Sequence, residues 1–421
     1  MFLRVKARTR VLPGHRPISR LPPFLNTKCR VYSSKQSSNV EPNRQEHQED
    51  EPRFKYPEET LGIPAEYGFG YYQGGPGRRL GLKGRYEIRQ KLGHGSTSSV
   101  WLAKDRSKNT FHALKILSGF ATELNVEHKL QELDVHQRLG KAEKDRRCVT
   151  STDHFFEAGI DEDDGPHLCL VQNPTRCDLY EVIKTLPKGT TFPLPIIKRI
   201  TKDVLSALAL LHERGIAHTD LKQNNIMVAL EPQFDIAQWL AENPPKAYDP
   251  VPSFKGPVVS YKSHQFPPPP FEELSNARFI VSDFRSAQIL AHKSTDHITP
   301  LGLRSPEIVL GGPWDQSVDI WTLGNLVFFF LTLQDFIVKR PSPCQLGFFW
   351  PQDLRPAEIQ EALEANKPIP ESIDFLLYQM AAFCENPFPA ELLQVCPKTA
   401  EYFDLESGRL KRFRNQFRKC G

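Results

Sequence analysis

The chain has 421 residues, 25% charged and 39% hydrophobic, with a formal net charge of +4. Such a length buries a large core and such a balance excludes a chain disordered throughout; the modest charge gives no support for direct nucleic-acid binding. Eight cysteines without a CxxC pair exclude both a zinc framework and a secreted disulfide scaffold, and fit a reducing compartment.

Residues 1–40 carry nine Lys or Arg and no Asp or Glu. This is the composition of a mitochondrial transit peptide, and "RVYSS" at Arg30–Ser34 resembles a matrix-processing site. A basic tail without structure is the alternative, since Pro13, Pro17, Pro22 and Pro23 weaken a long amphipathic helix. The expected location is mitochondrial if the leader is an import signal, and cytoplasmic or nuclear otherwise. Residues 41–78 open on a polar, charged stretch and are expected to be a linker.

Regular structure is predicted from residue 79. "GRYEIRQKLGHGSTSSVWLAKD" reads as strand, tight loop, strand, and "TFHALKIL" as a further strand. "VEHKLQELDVHQRL" places Leu130, Leu133 and Leu139 roughly on one helical face, and "DHFFEAGI" and "HLCLVQN" are short apolar strands. Residues 79–172 therefore form a small strand-rich lobe, and 173–421 a larger, mostly helical one. In the latter, Ile196, Ile197, Ile200, Val204, Leu208 and Leu211 keep helical spacing up to Gly215. The apolar run "LVFFFLTLQDFIV" is broken by Gln334 and Asp335, so a buried helix is expected and no transmembrane segment. At about 230–277 a proline-rich insertion interrupts this lobe, where prolines favour extended chain and limit core formation. The expected fold class is α+β, two lobes meeting at a cleft.

Four pieces carry chemistry. Gly93-x-Gly95-x-x-Ser98-x-Val100 lets backbone N–H groups approach phosphates. Lys115 lies on the next strand, where a cation can hold nucleotide phosphates. "IAHTDLKQNNIMV" supplies Asp220 to orient and deprotonate a hydroxyl, Lys222 to spread charge on a transferring phosphoryl, and Asn225 as a neutral oxygen ligand for Mg²⁺. Asp283, after the strand "RFIV", completes the metal site, and Ser305-Pro306-Glu307 closes the following segment.

In this order the pieces resemble a protein kinase, and the resemblance covers about residues 87–410. It implies the two-lobed protein kinase fold, an ATP- and Mg²⁺-dependent transfer to Ser or Thr, and a protein substrate. The ATP site would comprise Leu92, Gly93, Gly95, Ser98, Val100, Ala113 and Lys115, with a hinge after Gln172 that offers Asn173 C=O and Thr175 N–H. Glu132 would pair with Lys115, with Glu127 as runner-up; Asp319 would brace the catalytic loop. "GRYEIRQKLGHGSTSSVWLAKD", "AHTDLKQNNIM" and "PFPAELLQVCPKTAEYFDLESGRLKRF" further resemble the SR-protein kinase family, which implies Ser acceptors in Arg/Ser-rich proteins.

Two departures from the kinase pattern matter. Thr219 stands where an Arg commonly awaits an activation-segment phosphate, so activity without such phosphorylation is expected. Arg285 replaces the Gly of an Asp-Phe-Gly turn, narrowing backbone freedom and adding a cation near the phosphate site. Together with Ser98 and Gln172 it motivates the alternative of a pseudokinase acting as a nucleotide-binding scaffold or interaction module. A third reading, a kinase-like enzyme for a small molecule, fits the Ser-Pro-Glu segment poorly. The acidic turn Asp161–Gly165 reads either as a solvated loop or as an attraction for basic peptide.

Overall fold

The computed structural model describes residues 55–140, 147–333, 372–384 and 388–411. The leader and the chain beyond Leu333, including Gln334 and Asp335, lie outside the described residues up to Ser372. Among the described residues no helix is long and apolar enough to cross a membrane.

The small lobe is built on β1 (Arg79–Leu80), β2 (Tyr86–Gly95), β3 (Ser98–Asp105), β4 (Thr110–Leu117), β5 (Ser151–Glu157) and β6 (His167–Gln172). They form one antiparallel sheet in the order β1-β2-β3-β4-β6-β5. Side chains alternate across a strand, so Leu114 and Ile116 enter a core with Ile88 and Trp101. Ala113 and Lys115, on the other face of β4, line the cleft.

Two short helices follow β4: α1 (Gly119–Val126), capped by the Ser118 hydroxyl, and α2 (Glu132–Leu139). The single helix expected from Leu130, Leu133 and Leu139 is thus divided, and Leu130 falls in the turn before α2. The buried face of α2 is Glu132, Val135, His136 and Leu139. The chain between the helices turns through His128, at φ 57°. A left-handed residue ends a helix.

The expected linker is packed chain from residue 55 onward. Leu61, Tyr71 and Tyr72 are buried, and the Gly70 carbonyl accepts the N–H of Gly119 at 2.7 Å. The acids that suggested a solvated stretch are themselves engaged: buried Lys91 pairs with Glu58 at 2.7 Å and with Glu59.

The large lobe begins with β7 (Thr175–Asp178), α3 (Leu179–Lys184) and the twenty-residue α4 (Leu194–Glu213). Strand β8 (Ile216–Ala217) leads to the loop that carries Asp220, and β9 (Ile226–Ala229) pairs with β7 and with β10 (Phe279–Val281). Each residue set apart for the buried face of α4 is buried, in one cluster with Phe284, Leu323, Leu326 and Phe330. Leu323, Leu326 and Phe330 belong to α7 (Ser317–Thr332), numbered after α5 (Ile236–Glu242) and α6 (Pro306–Val309). The carboxy-terminal element packs Cys396, Tyr402, Phe403 and Leu410 with Val309 and Leu310 of the segment-closing turn.

The insertion departs from expectation. Trp239 and Phe266 are buried against Leu92, Leu102 and Ala113 of the small lobe, their rings 4.5 Å apart. Aromatic side chains bury enough area to make a core even in proline-rich chain. Further on, the His264 N–H donates to Lys91 O at 2.9 Å, and Tyr261 stands edge-on to Trp101. Lys255 reaches Asp161 at 2.8 Å and also pairs with Asp163. Asp164 is buried and accepts from Gln73 at 2.8 Å. Three acids of the turn, Asp161, Asp163 and Asp164, are thus engaged by the chain's own residues.

Candidate active site

The cleft between the lobes encloses roughly 420 Å³. Its roof is the β2–β3 hairpin with Leu92, Gly93, Gly95, Ser98 and Val100; its back is Ala113, Lys115 and Gln172; its outer edge is Asn173 and Thr175. A Cβ added at Gly93 would meet no protein atom within 4 Å, and neither Gly93 nor Gly95 has positive φ. The protein's own packing thus gives no reason for glycine there, whereas room for a phosphate does.

Lys115 Nζ lies 2.5 Å from Glu132 Oε1 and 2.7 Å from Asp283 Oδ1. Glu127 sits at the end of α1 and pairs with Lys129 instead. Burial alone would lower the ammonium pKa; Asp283 and Glu132 outweigh it and hold Lys115 above its ordinary value, charged. Burial would likewise raise Asp283, but the charge and hydrogen bond of Lys115, helped by Arg285, hold its carboxyl well below the usual range. Glu132 is pushed upward by burial, and its Oε2 is buried without a partner.

In the catalytic loop, Lys222 Nζ donates to Asp220 Oδ2 at 2.7 Å. Asn225 Nδ2 donates to the Asp220 carbonyl at 2.7 Å, which leaves its amide oxygen as an acceptor for a cation. Asn225, Lys222 and Asp283 all line the cleft. Two oxygen donors, one of them anionic, beside a phosphate-sized space fit Mg²⁺, a hard cation that is bound by few protein oxygens plus phosphate.

The loop is braced from behind. Asp319 on α7 accepts the backbone N–H groups of His218 and Thr219, each at 2.8 Å, and faces His212 Nε2 at 2.9 Å. His218 Nε2 lies 3.0 Å from Ser282 O, so its ring organises the loop. Phe284 lies edge-on between His218 and His136 of α2. His136 is pushed down to about 3 by burial and by Lys115, hence neutral, and its Nε2 lies 3.5 Å from the Gln172 amide.

Arg285 occupies a short 3-10 turn, Phe284–Ser286. The left-handed residue of the motif is Asp283, φ 62°, while Arg285 has negative φ. The freedom of glycine is not used at this position, which is why arginine fits. Its Nη1 donates to Ser96 Oγ at the tip of the glycine loop, 2.7 Å away. The loop is also held by Tyr71 Oη, which donates to Gly95 O at 2.9 Å, and by His94 Nδ1, 3.2 Å from Glu58.

Several cleft residues escaped the sequence reading. Met227 lies on β9, two positions after Asn225 of the preceding 3-10 turn. Arg176 and Gln265 also line the cleft; Gln265 comes from the insertion, where no motif marks it.

Residues 86–243 match the protein kinase domain family. The two-lobed α+β fold, with the site at the junction of its lobes, is similar to that of protein kinases. By sequence the chain is also similar to individual kinases. It is 28% identical to the serine/threonine-protein kinase SRPK of Physarum polycephalum over 58% of this chain and 60% of the relative. It is 26% identical to the serine/threonine-protein kinase AFC2 of Arabidopsis thaliana, over 58% and 51% respectively. To protein kinase dsk1 of Schizosaccharomyces pombe it is 25% identical, over 59% and 61%. The chain thus matches less than two thirds of the length of these relatives.

Proposed function

We propose that the chain is an ATP-dependent serine/threonine protein kinase that transfers the γ-phosphate to a Ser or Thr hydroxyl, with Ser in Arg/Ser-rich protein as the favoured acceptor. The observation that carries this is the convergence of Lys115, Lys222, Asn225 and Asp283 on one cleft under a glycine loop, with Asp220 bonded to both Lys222 and Asn225. Leu92, Val100 and Ala113 would enclose the adenine, with Asn173 and Thr175 at its polar edge, and Lys115, held by Glu132, would orient the phosphates. Asn225 and Asp283 would hold Mg²⁺, which supplies neutralisation of phosphate charge. Asp220 would accept the hydroxyl proton at its carboxylate, and Lys222 would balance charge on the moving phosphoryl group. Such catalysis is positioning and electrostatic stabilisation more than covalent chemistry. The Arg/Ser preference is supported by the similarity to the relative named SRPK.

Incubation with Mg-ATP and an Arg/Ser peptide, beside an Asp220→Ala control, tests this. Transfer that vanishes in the control is the expected result. Nucleotide binding without transfer to any of a broad peptide set would favour the scaffold reading, for which the Arg285–Ser96 bridge across the cleft mouth is the specific observation. We also propose that residues 1–40 act as a mitochondrial address, supported by their basic, acid-free composition. A fluorescent fusion distributed identically with and without them would sink that idea.

A further inference from the structure

We propose that Arg285 is a phosphate-binding residue, holding the outer phosphates of the nucleotide with a fixed positive charge that belongs to the protein. The inference rests on the reading of the cleft as a nucleotide site.

Four Lys or Arg side chains line the cleft: Lys115, Arg176, Lys222 and Arg285. Lys115 is engaged by Glu132 and Asp283, Lys222 by Asp220, and Arg176 by Glu231 at 2.7 Å. Among the described residues Arg285 alone of the four makes no ion pair within 4 Å of a carboxylate, and the side-chain hydrogen bond it makes there is the one to the Ser96 hydroxyl. A guanidinium carries five donors in a planar fork that matches phosphate bidentately, so most of its donors remain for a ligand. The location is equally specific. Arg285 sits two residues after Asp283 and reaches the glycine-loop tip, so it bridges the two elements expected to flank a triphosphate. A protein cation there would bear part of the charge otherwise left to the metal, and nucleotide binding should depend less on Mg²⁺.

Calorimetric titration of the full chain with adenosine, ADP and ATP in EDTA, without metal, tests the assignment. Arg285→Gln keeps a donor for Ser96 but loses the charge. It should weaken ATP by about tenfold to a hundredfold, the range of a charge-assisted contact, and leave adenosine unchanged. Arg285→Lys should fall between the two, and Ser96→Ala should stay within about threefold of wild type, since that bond adds only a neutral contact. An unchanged ATP affinity in Arg285→Gln overturns the proposal. Equal weakening of ATP and adenosine also overturns it, because that pattern belongs to a loop tether without phosphate contact. If wild type binds neither adenosine nor ATP, with or without Mg²⁺, the nucleotide reading itself falls, a result distinct from either of the others.

Discussion

Asp319 Oδ1 accepts the backbone N–H of Thr219 at 2.8 Å, and Thr219 is held there at φ 60°. A β-branched residue avoids that conformation, so the catalytic loop is kept in shape by a buried carboxylate on a separate helix. Two more groups depend on the same side chain, the His218 N–H and the His212 ring.

Replacement of Asp319 by Ala leaves these donors unsatisfied in a buried place. We expect a loss of about 3 kcal/mol or more, since bonds to a charged group contribute roughly 1.5–3 kcal/mol each, together with loss of phosphoryl transfer. Urea unfolding and a peptide assay read the two effects. An unchanged unfolding midpoint would contradict the bracing role.

Thr219 also joins the loop to the activation segment without any phosphate. Its hydroxyl donates to Ser286 O at 2.6 Å, and Thr299 Oγ1 donates to its carbonyl at 2.9 Å. Ile289 N–H donates to Gln131 Oε1, and the Gln131 amide to His292 O. Protein purified free of phosphate should therefore be active, and Ser294→Ala and Thr295→Ala should keep kcat within about twofold, because both are exposed and their hydroxyls make only short-range bonds, to Gln288 and from the His297 N–H. Activity that appears only after phosphorylation of these residues would refute this.

Trp239 ties the insertion to the roof of the cleft through Leu92, Leu102 and Ala113. Trp239→Ala should cost about 3–5 kcal/mol and also weaken nucleotide binding, since Leu92 and Ala113 line the cleft. Calorimetric unfolding with and without nucleotide checks both parts. Loss of stability with nucleotide affinity intact would limit the insertion to a structural role.

Acid should loosen the contact between the amino-terminal segment and the glycine loop. Burial would raise Glu58, but hydrogen bonds from His94, Lys91 and Ser263 outweigh it and hold the group at about 2, against an ordinary 4.5. A carboxyl depressed in the folded chain adds stability that is complete above its unfolded value and is lost as pH falls through the folded one. Wild type should therefore lose urea resistance between about pH 4.5 and pH 2 more steeply than Glu58→Gln. Parallel curves would rule out a contribution from Glu58.

Much of the site was legible because kinase chemistry is written in local strings. The order His218-x-Asp220-x-Lys222-x-x-Asn225 fixes residue types at a spacing set by one loop, whereas the bracing by Asp319, 101 positions from His218, was expected only from the resemblance to a protein kinase. Glu132 was less legible: its partner Lys115 lies seventeen positions away, and the intervening chain divides into two helices at a turn that apolar spacing does not reveal. The insertion and the 55–78 segment were misread for another reason. Both are polar or proline-rich on average, and each contributes a few aromatic anchors, such as Phe266 and Tyr72, whose burial depends on surfaces far away in sequence. The meeting of Arg285 and Ser96, 189 positions apart, has no local signal at all.

The crossing of the insertion also bears on how the chain is made. Residues 86–243 are the part most recognisable as a kinase, yet Phe266 lies beyond them and fills the same core as Leu92 and Leu102. During synthesis, the small lobe leaves the ribosome long before the ring that closes its cleft-side core. A nascent chain halted at residue 243 would carry that apolar surface open to chaperones or to neighbouring chains, so the amino-terminal lobe should mature only after more than a third of the next one has been translated.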